Sequence, residues 1–203
     1  MKNLIILTLS VFLSLTLSAQ TEIEKSITEA QGYLKTKNYK DAQIALQQAI
    51  SQIYEMLGKD LLTSLPVDLI DMKANIEEDV NNTGGMGMTG GGFTISRNYY
   101  QTINKETNLR VNIVANSPMI SSISMMINNP MLLGSNPDAG KSIKIGNRRS
   151  LFKPNTKEKS YELTVPLTNS LVTINGYNIK DEATFLALVT KLDVEKIAKV
   201  LSE

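Results

Sequence analysis

The spacing of apolar residues changes several times along the chain, and each change predicts a different element. Leu4 to Leu17 is an apolar block interrupted only by Thr8, Ser10, Ser14 and Thr16. From Thr21 to about Gly58 the apolar residues recur at helical spacing, through Ile23, Ile27, Ala30 and Leu34, then Ile44 or Ala45, Leu46, Ala49, Ile53 and Leu57. The polar link Lys35-Thr36-Lys37-Asn38 divides this stretch into two antiparallel helices. Between Val67 and Val80 helical and alternating patterns compete, and Met72, Ala74 and Ile76 favour a strand. Six glycines between Gly84 and Gly92 then predict a loop with a high ordering entropy.

After that loop the period becomes two. Phe93, Ile95, Arg97 and Tyr99 alternate with Thr94, Ser96, Asn98 and Tyr100, and Leu109, Val111, Ile113 and Ala115 alternate with polar partners. The polar run Asn104 to Asn108 between them reads as a hairpin turn. Ser117-Pro118 is expected to open a helix, with Ser117 as its cap, that runs through Ile120, Ile123, Met126 and Ile127 and stops at Asn129-Pro130. A second loop, Gly134 to Gly140, precedes three β-like runs: Ser142 to Phe152, Ser160 to Leu167 and Leu171 to Ile174. Asp181 and Asp193 are placed to cap two closing helices, Asp181 to Leu192 and Val194 to Leu201. The expected fold class is α+β: an N-terminal helical hairpin, then an antiparallel sheet of about five strands with two or three helices. The expected domains are a signal peptide over 1–19, the hairpin over 20–65, a linker with the glycine-rich loop over 66–92, and the α+β domain over 93–203.

The opening block reads as a secretory signal peptide: Lys2 supplies the charge, and Leu4 to Leu17 the apolar core. Its fourteen residues fall short of the roughly 20 that cross a bilayer as a helix. Small side chains at Ser18-Ala19 place cleavage between Ala19 and Gln20, with a cut after Ser18 as the alternative, since Leu17 is large for its position. The mature chain is then expected to be periplasmic or secreted and to have no membrane span. Without Lys2 its twenty basic residues balance its twenty acidic ones, so charge gives no reason to expect nucleic acid or anionic lipid as partners.

The chain has no cysteine and no histidine. Export would permit disulfides, but the core must supply the stability. Lack of histidine removes the usual general base, both histidine-dependent nucleophile systems and the commonest zinc ligand. What remains for catalysis is carboxylate pairs or a Ser-Lys dyad.

The stretch Asn38-Tyr39-Lys40-Asp41-Ala42, with Tyr33 before it and Leu46 and Ala49 after it, resembles the second half of a tetratricopeptide repeat. That resemblance implies close helix approach at the alanines and an aromatic packed between the helices. Glu29 and Ala30 depart from the pattern, the expected proline is missing, and one repeat cannot build a peptide groove. The part from about Gly90 to Leu201 resembles an uncharacterised group of bacterial exported proteins. The shared features are Gly91-Gly92 before Ser96-Arg97-Asn98-Tyr99, Asn116-Ser117-Pro118-Met119, Asn129-Pro130, Ile145-Gly146 and Val172-Thr173-Ile174-Asn175-Gly176. Its layout is also loosely PsbP-like. Neither likeness implies an activity.

Motifs that could carry chemistry fail on spacing or context. Gly134 to Ser142 has five residues where a phosphate loop has four, and it leads into a strand rather than a helix. Ser150 and Lys153 have Ser-x-x-Lys spacing, but on a strand they point to opposite faces. Glu77-Glu78-Asp79 cannot all face one ion and reads as a solvated run. Met86 and Met88 could bind Cu(I), and Met119, Met125, Met126 and Met131 read as core filler. Arg148 and Arg149 form a small cationic spot, the expected contact surface. The expected function is therefore a non-catalytic, exported binding or envelope-associated module for a protein or small ligand, with no cofactor, metal or catalytic residue. The alternatives are a histidine-free hydrolase using Ser150 with Lys153, and a carrier with an apolar pocket of roughly 300 Å³ or more lined by methionines.

Overall fold

The computed structural model describes residues 20–83, 92–129, 140–155 and 157–203. The expected signal peptide with Ala19, most of the glycine-rich loop with Met86 and Met88, Met131 and residues 134–139 lie outside the described residues. The chain divides into two compact units that meet at Met56 and Leu57.

The helical unit is an antiparallel pair. Helix α1 covers residues 20–35, and α2 (Tyr39–Ser64) continues past the unit boundary. Lys37, at φ 59°, reverses the chain, and Asn38 caps α2 by donating from Nδ2 to the Asp41 carboxylate while its Oδ1 accepts from the Asp41 amide. Ala30, Ala42, Ala45 and Ala49 are buried, so the helices meet along a seam of small side chains. Ser26 donates to Gln52 across the far end of that seam at 3.5 Å.

The second unit is built on an antiparallel sheet. Its strands are β1 (Asp68–Leu69), β2 (Met72–Ala74), β3 (Val80–Asn82), β4 (Thr94–Gln101), β5 (Asn108–Ala115), β6 (Lys141–Ile145), β7 (Arg148–Asn155), β8 (Ser160–Pro166) and β9 (Ser170–Tyr177). They run in the order β1-β2-β4-β5-β9-β8-β7-β6, and β3 pairs with the far half of the β4 edge. Three helices follow or interrupt the strands: α3 (Ile120–Asn128), α4 (Glu182–Lys191) and α5 (Val194–Val200).

Nine strands among the described residues, against an expected five or so, have two local causes. Gly146 adopts φ 56° and folds Ser142 to Phe152 back on itself, giving β6 and β7 instead of one run. The expected linker over 66–92 contributes β1, β2, a 3-10 turn at Ile76–Glu78 and β3, all docked on one edge. Helix α3 starts two residues later than its Ser-Pro signal suggests. Ser117 Oγ accepts from the Met119 amide at 3.3 Å, but the first helical residue is Ile120.

One face of this sheet is the core. Ile95, Tyr99, Leu109, Val111, Ile113, Val172, Ile174, Leu163, Val165 and Phe152 point to it and are fully or nearly fully buried. Helix α4 closes it through Phe185, which stacks with Phe152 and Tyr161 at centroid distances of 5.8 and 5.4 Å. Gly176 makes this approach possible, since a Cβ there would stand 2.8 Å from the Phe185 ring. Asp181 and Asp193 cap α4 and α5 as expected, accepting from Thr184 N at 2.8 Å and Lys196 N at 3.1 Å.

Candidate functional site: the open polar face of the sheet

Because side chains alternate along a strand, the residues between the core positions form the opposite face. Helix α3 covers one side of that face, packing Ile123, Met126 and Ile127 on Leu151. The rest is an open polar surface. Strand register aligns Asn98, Arg110, Asn175, Glu162 and Lys153 in one continuous row across β4, β5, β9, β8 and β7. Four interstrand steps give the row a length of about 19 Å. Beside it Tyr100, Asn108 and Tyr177 form a second row, while the register line on the other side, Ser96, Asn112, Thr173 and Thr164, is partly closed, with Ser96 and Thr164 buried.

The row is held by its own bonds. Glu78, on the 3-10 turn, accepts from Asn98 Nδ2 at 2.9 Å and from the Tyr100 hydroxyl at 2.8 Å. These bonds, that from Tyr100 first, hold the Glu78 carboxyl below the usual range, and the same contact raises the Tyr100 phenol. Arg110 Nε donates to Ser96 Oγ at 3.2 Å, and Lys153 Nζ lies 3.3 Å from Glu162 Oε1. Charge therefore alternates along the surface: Glu78, Arg110, Glu162 and Lys153, with the Asn98 and Asn175 amides between them. A depression of about 220 Å³ at one end is lined by Lys153, Ser160, Glu162, Asn175 and Tyr177 among others.

Such a surface offers amide, guanidinium, carboxylate and phenol groups in a fixed, nearly neutral array. It suits an extended ligand that carries its own donors and acceptors. Among the described residues no cluster of carboxylates could hold a metal ion, and no helix is long and apolar enough to cross a membrane.

The sequence-derived candidates fall differently. Arg148 and Arg149 occupy opposite faces of β7, so they do not make one cationic spot. Arg148 turns to the core side and forms a two-bond pair with Glu195 of α5, both bonds at 3.1 Å. Arg149 is exposed and stands opposite Lys144 on β6, which makes the cationic pair Lys144 with Arg149. Gln20 is an exposed residue at the start of α1. Ser150 is fully buried on the core side and its hydroxyl reaches the Arg148 carbonyl at 3.4 Å, while Lys153 projects from the other face to Glu162. Asp79 is not part of a solvated run: it is buried against Arg97. Among the described methionines of this group, Met119 and Met125 are exposed rather than core filler, while Met126 packs inward.

Sequence reasoning missed the polar row. Its residues are the polar partners in strands recognised by their apolar phase, and cross-strand register is invisible along one chain. One clue was present, since Asn and charged residues fill that polar phase where Ser and Thr would suffice for solvation. No protein-family model matches this chain, and no curated protein or solved structure is similar to it.

Proposed function

We propose that this chain is an exported, non-catalytic binding or envelope-associated module that holds an extended polar ligand along the row from Asn98 to Lys153. The observation that carries this reading is the uncovered, self-braced line of alternating charges and amides on an otherwise well-packed sheet. Tyr100 and Tyr177 flank it with aromatic area, which binds flat ligand surfaces at low conformational cost. Divergence of Ser150 and Lys153 across the sheet supports a role without the dyad chemistry that their spacing allowed. Among the described residues, two depressions on the sheet unit, one at Asn82, Thr94 and Asn116 and one at Lys153, Glu162 and Tyr177, are shallow and open and mix polar with apolar lining, which supports surface binding more than enclosed apolar carriage.

Amide NMR titration with a panel of short polar peptides and oligosaccharides tests the proposal. Saturable shifts confined to the strands around Asn98, Arg110 and Asn175 support it. Shifts centred on the α4 and α5 side of the sheet, or turnover of a panel member that is lost in Ser150→Ala, contradict it.

A further inference from the structure

Granted that the row is the binding surface proposed above, its end from Asn175 to Lys153 selects a chemical class of ligand. The depression of about 220 Å³ across β7, β8 and β9 has the size of one sugar ring rather than of a protein surface. Tyr177 follows Asn175 by two residues on β9, so both stand on the same face, and Tyr177 is 46% exposed. The Asn175 amide and the Ser160 hydroxyl are half-buried, and neither side chain makes a hydrogen bond to a described residue. Such groups bond water in the free protein and a ligand hydroxyl in a complex. The lining therefore sets an aromatic ring beside uncommitted, uncharged donors and acceptors. Most charges, by contrast, are committed. Lys153 Nζ lies 3.3 Å from Glu162 Oε1, and at the other end of the row Glu78 accepts from Asn98 and Tyr100. The charges of Glu78, Arg110, Glu162 and Lys153 cancel, so the row has no net field for an ionic ligand, which would have to break existing contacts to form its own.

We infer that this end of the row binds a neutral glycan, with one pyranose ring seated in the depression, its C–H face on Tyr177 and its hydroxyls on Asn175, Ser160 and the pair of Lys153 with Glu162. A pyranose has an apolar face and a rim of hydroxyls that each donate and accept. One such hydroxyl donates to Glu162 and accepts from Lys153 without separating them. Arg110, next to Asn175 in register, offers guanidinium donors to the following sugar. Tyr100 lies two interstrand steps from Tyr177, about 10 Å at the backbone, where it meets a further ring. An extended peptide draws its main-chain bonds from a free strand edge, whereas β7, β8 and β9 are interior strands whose backbone bonds are used within the sheet.

Calorimetry and amide NMR of the protein as recovered from expressing cells test this, with melting temperature as the check on folding. The probes are cellotetraose, chitotetraose and maltotetraose as neutral glycans, tetragalacturonate as an anionic one, and polar tetrapeptides of glycine, serine and asparagine. The expected result is saturable binding of at least one neutral tetrasaccharide, with shifts at Asn175 and Tyr177 and an affinity that about a tenfold rise in salt leaves nearly unchanged. Tyr177→Ala and Asn175→Ala should each weaken it by about tenfold or more. Tyr177→Phe should stay within about twofold of the parent, because stacking needs the ring and not the hydroxyl. A tetrapeptide or tetragalacturonate that binds the row while the neutral glycans do not overturns this inference and leaves the row as a binding surface. A neutral glycan bound with an affinity indifferent to Tyr177→Ala also overturns it. If no probe shifts the row, both readings fall.

Discussion

Arg97 and Asp79 form a two-bond ion pair inside the sheet unit, Nε to Oδ1 at 2.9 Å and Nη2 to Oδ2 at 2.5 Å, with both side chains at most 10% exposed. Arg97 also donates from Nη1 to the Leu65 carbonyl at 3.1 Å. One guanidinium thus ties the end of α2, the turn before β3 and the centre of β4 together. The hydrogen bond to Asp79 is the chief cause of the raised affinity of Arg97 for its proton.

Removing one partner leaves the other charge buried and unpaired. Asp79→Ala or Arg97→Ala should each cost about 3–5 kcal/mol in denaturant unfolding. The double variant Arg97→Met with Asp79→Leu should lose much less than the sum of the single changes. Additive losses would show that the two side chains act independently.

At Gly176 the expected effect is steric. Gly176→Ala puts a methyl group 2.8 Å from Phe185 and 2.9 Å from Ile179. Since both belong to the packed core, the substitution should destabilise by about 1–3 kcal/mol and disturb the Phe152, Tyr161 and Phe185 stack. Thermal unfolding with near-ultraviolet circular dichroism measures both effects.

Burial pushes the Tyr99 phenol up to about 12, and its hydroxyl donates to the Pro66 carbonyl at 2.9 Å. In the unfolded chain a tyrosine loses its proton near pH ~10. Between those values the native state binds more protons than the unfolded one, so stability present below pH ~10 is lost as pH rises towards 12. Tyr99→Phe should flatten that part of the stability curve. An unchanged slope would place the alkaline loss elsewhere.

Much of this fold was legible along the chain, for identifiable reasons. Asp181 and Asp193 announced α4 and α5 because a cap acts within one turn. The alanine spacing of the hairpin and the alternation in β4, β5, β8 and β9 were equally local. Asp79 departs from the solvated expectation because its partner lies eighteen residues away, on β4. The clue to its burial was Arg97 itself, a charge in the apolar phase between Ile95 and Tyr99. Arg148 and Arg149 were read as one spot, although neighbours on a strand face apart and only the positions of β6 and α5 show what each one meets. The polar row was the least legible feature, since it exists only in the register of five strands.

Bonds to Glu78 provide a check on the edge of that row. Its carboxyl is held below the ordinary range chiefly by the Tyr100 hydroxyl. Because the folded-state value is depressed, this contribution is present above the unfolded carboxylate range and is lost as pH falls through the folded value. Tyr100→Phe should raise the Glu78 midpoint in a carbon-detected NMR titration, and an unmoved midpoint would mean that the bond is absent in solution.

The most direct measurement of the binding claim is the affinity of a panel member that shifts the sheet resonances, compared across three variants by calorimetry. Arg110→Ala and Asn175→Ala should each weaken binding at least tenfold with little change in melting temperature, since both side chains lie in the open row. Arg149→Ala, exposed opposite Lys144 and outside that row, should leave it unchanged. Equal affinity in Arg110→Ala and Asn175→Ala would contradict the account.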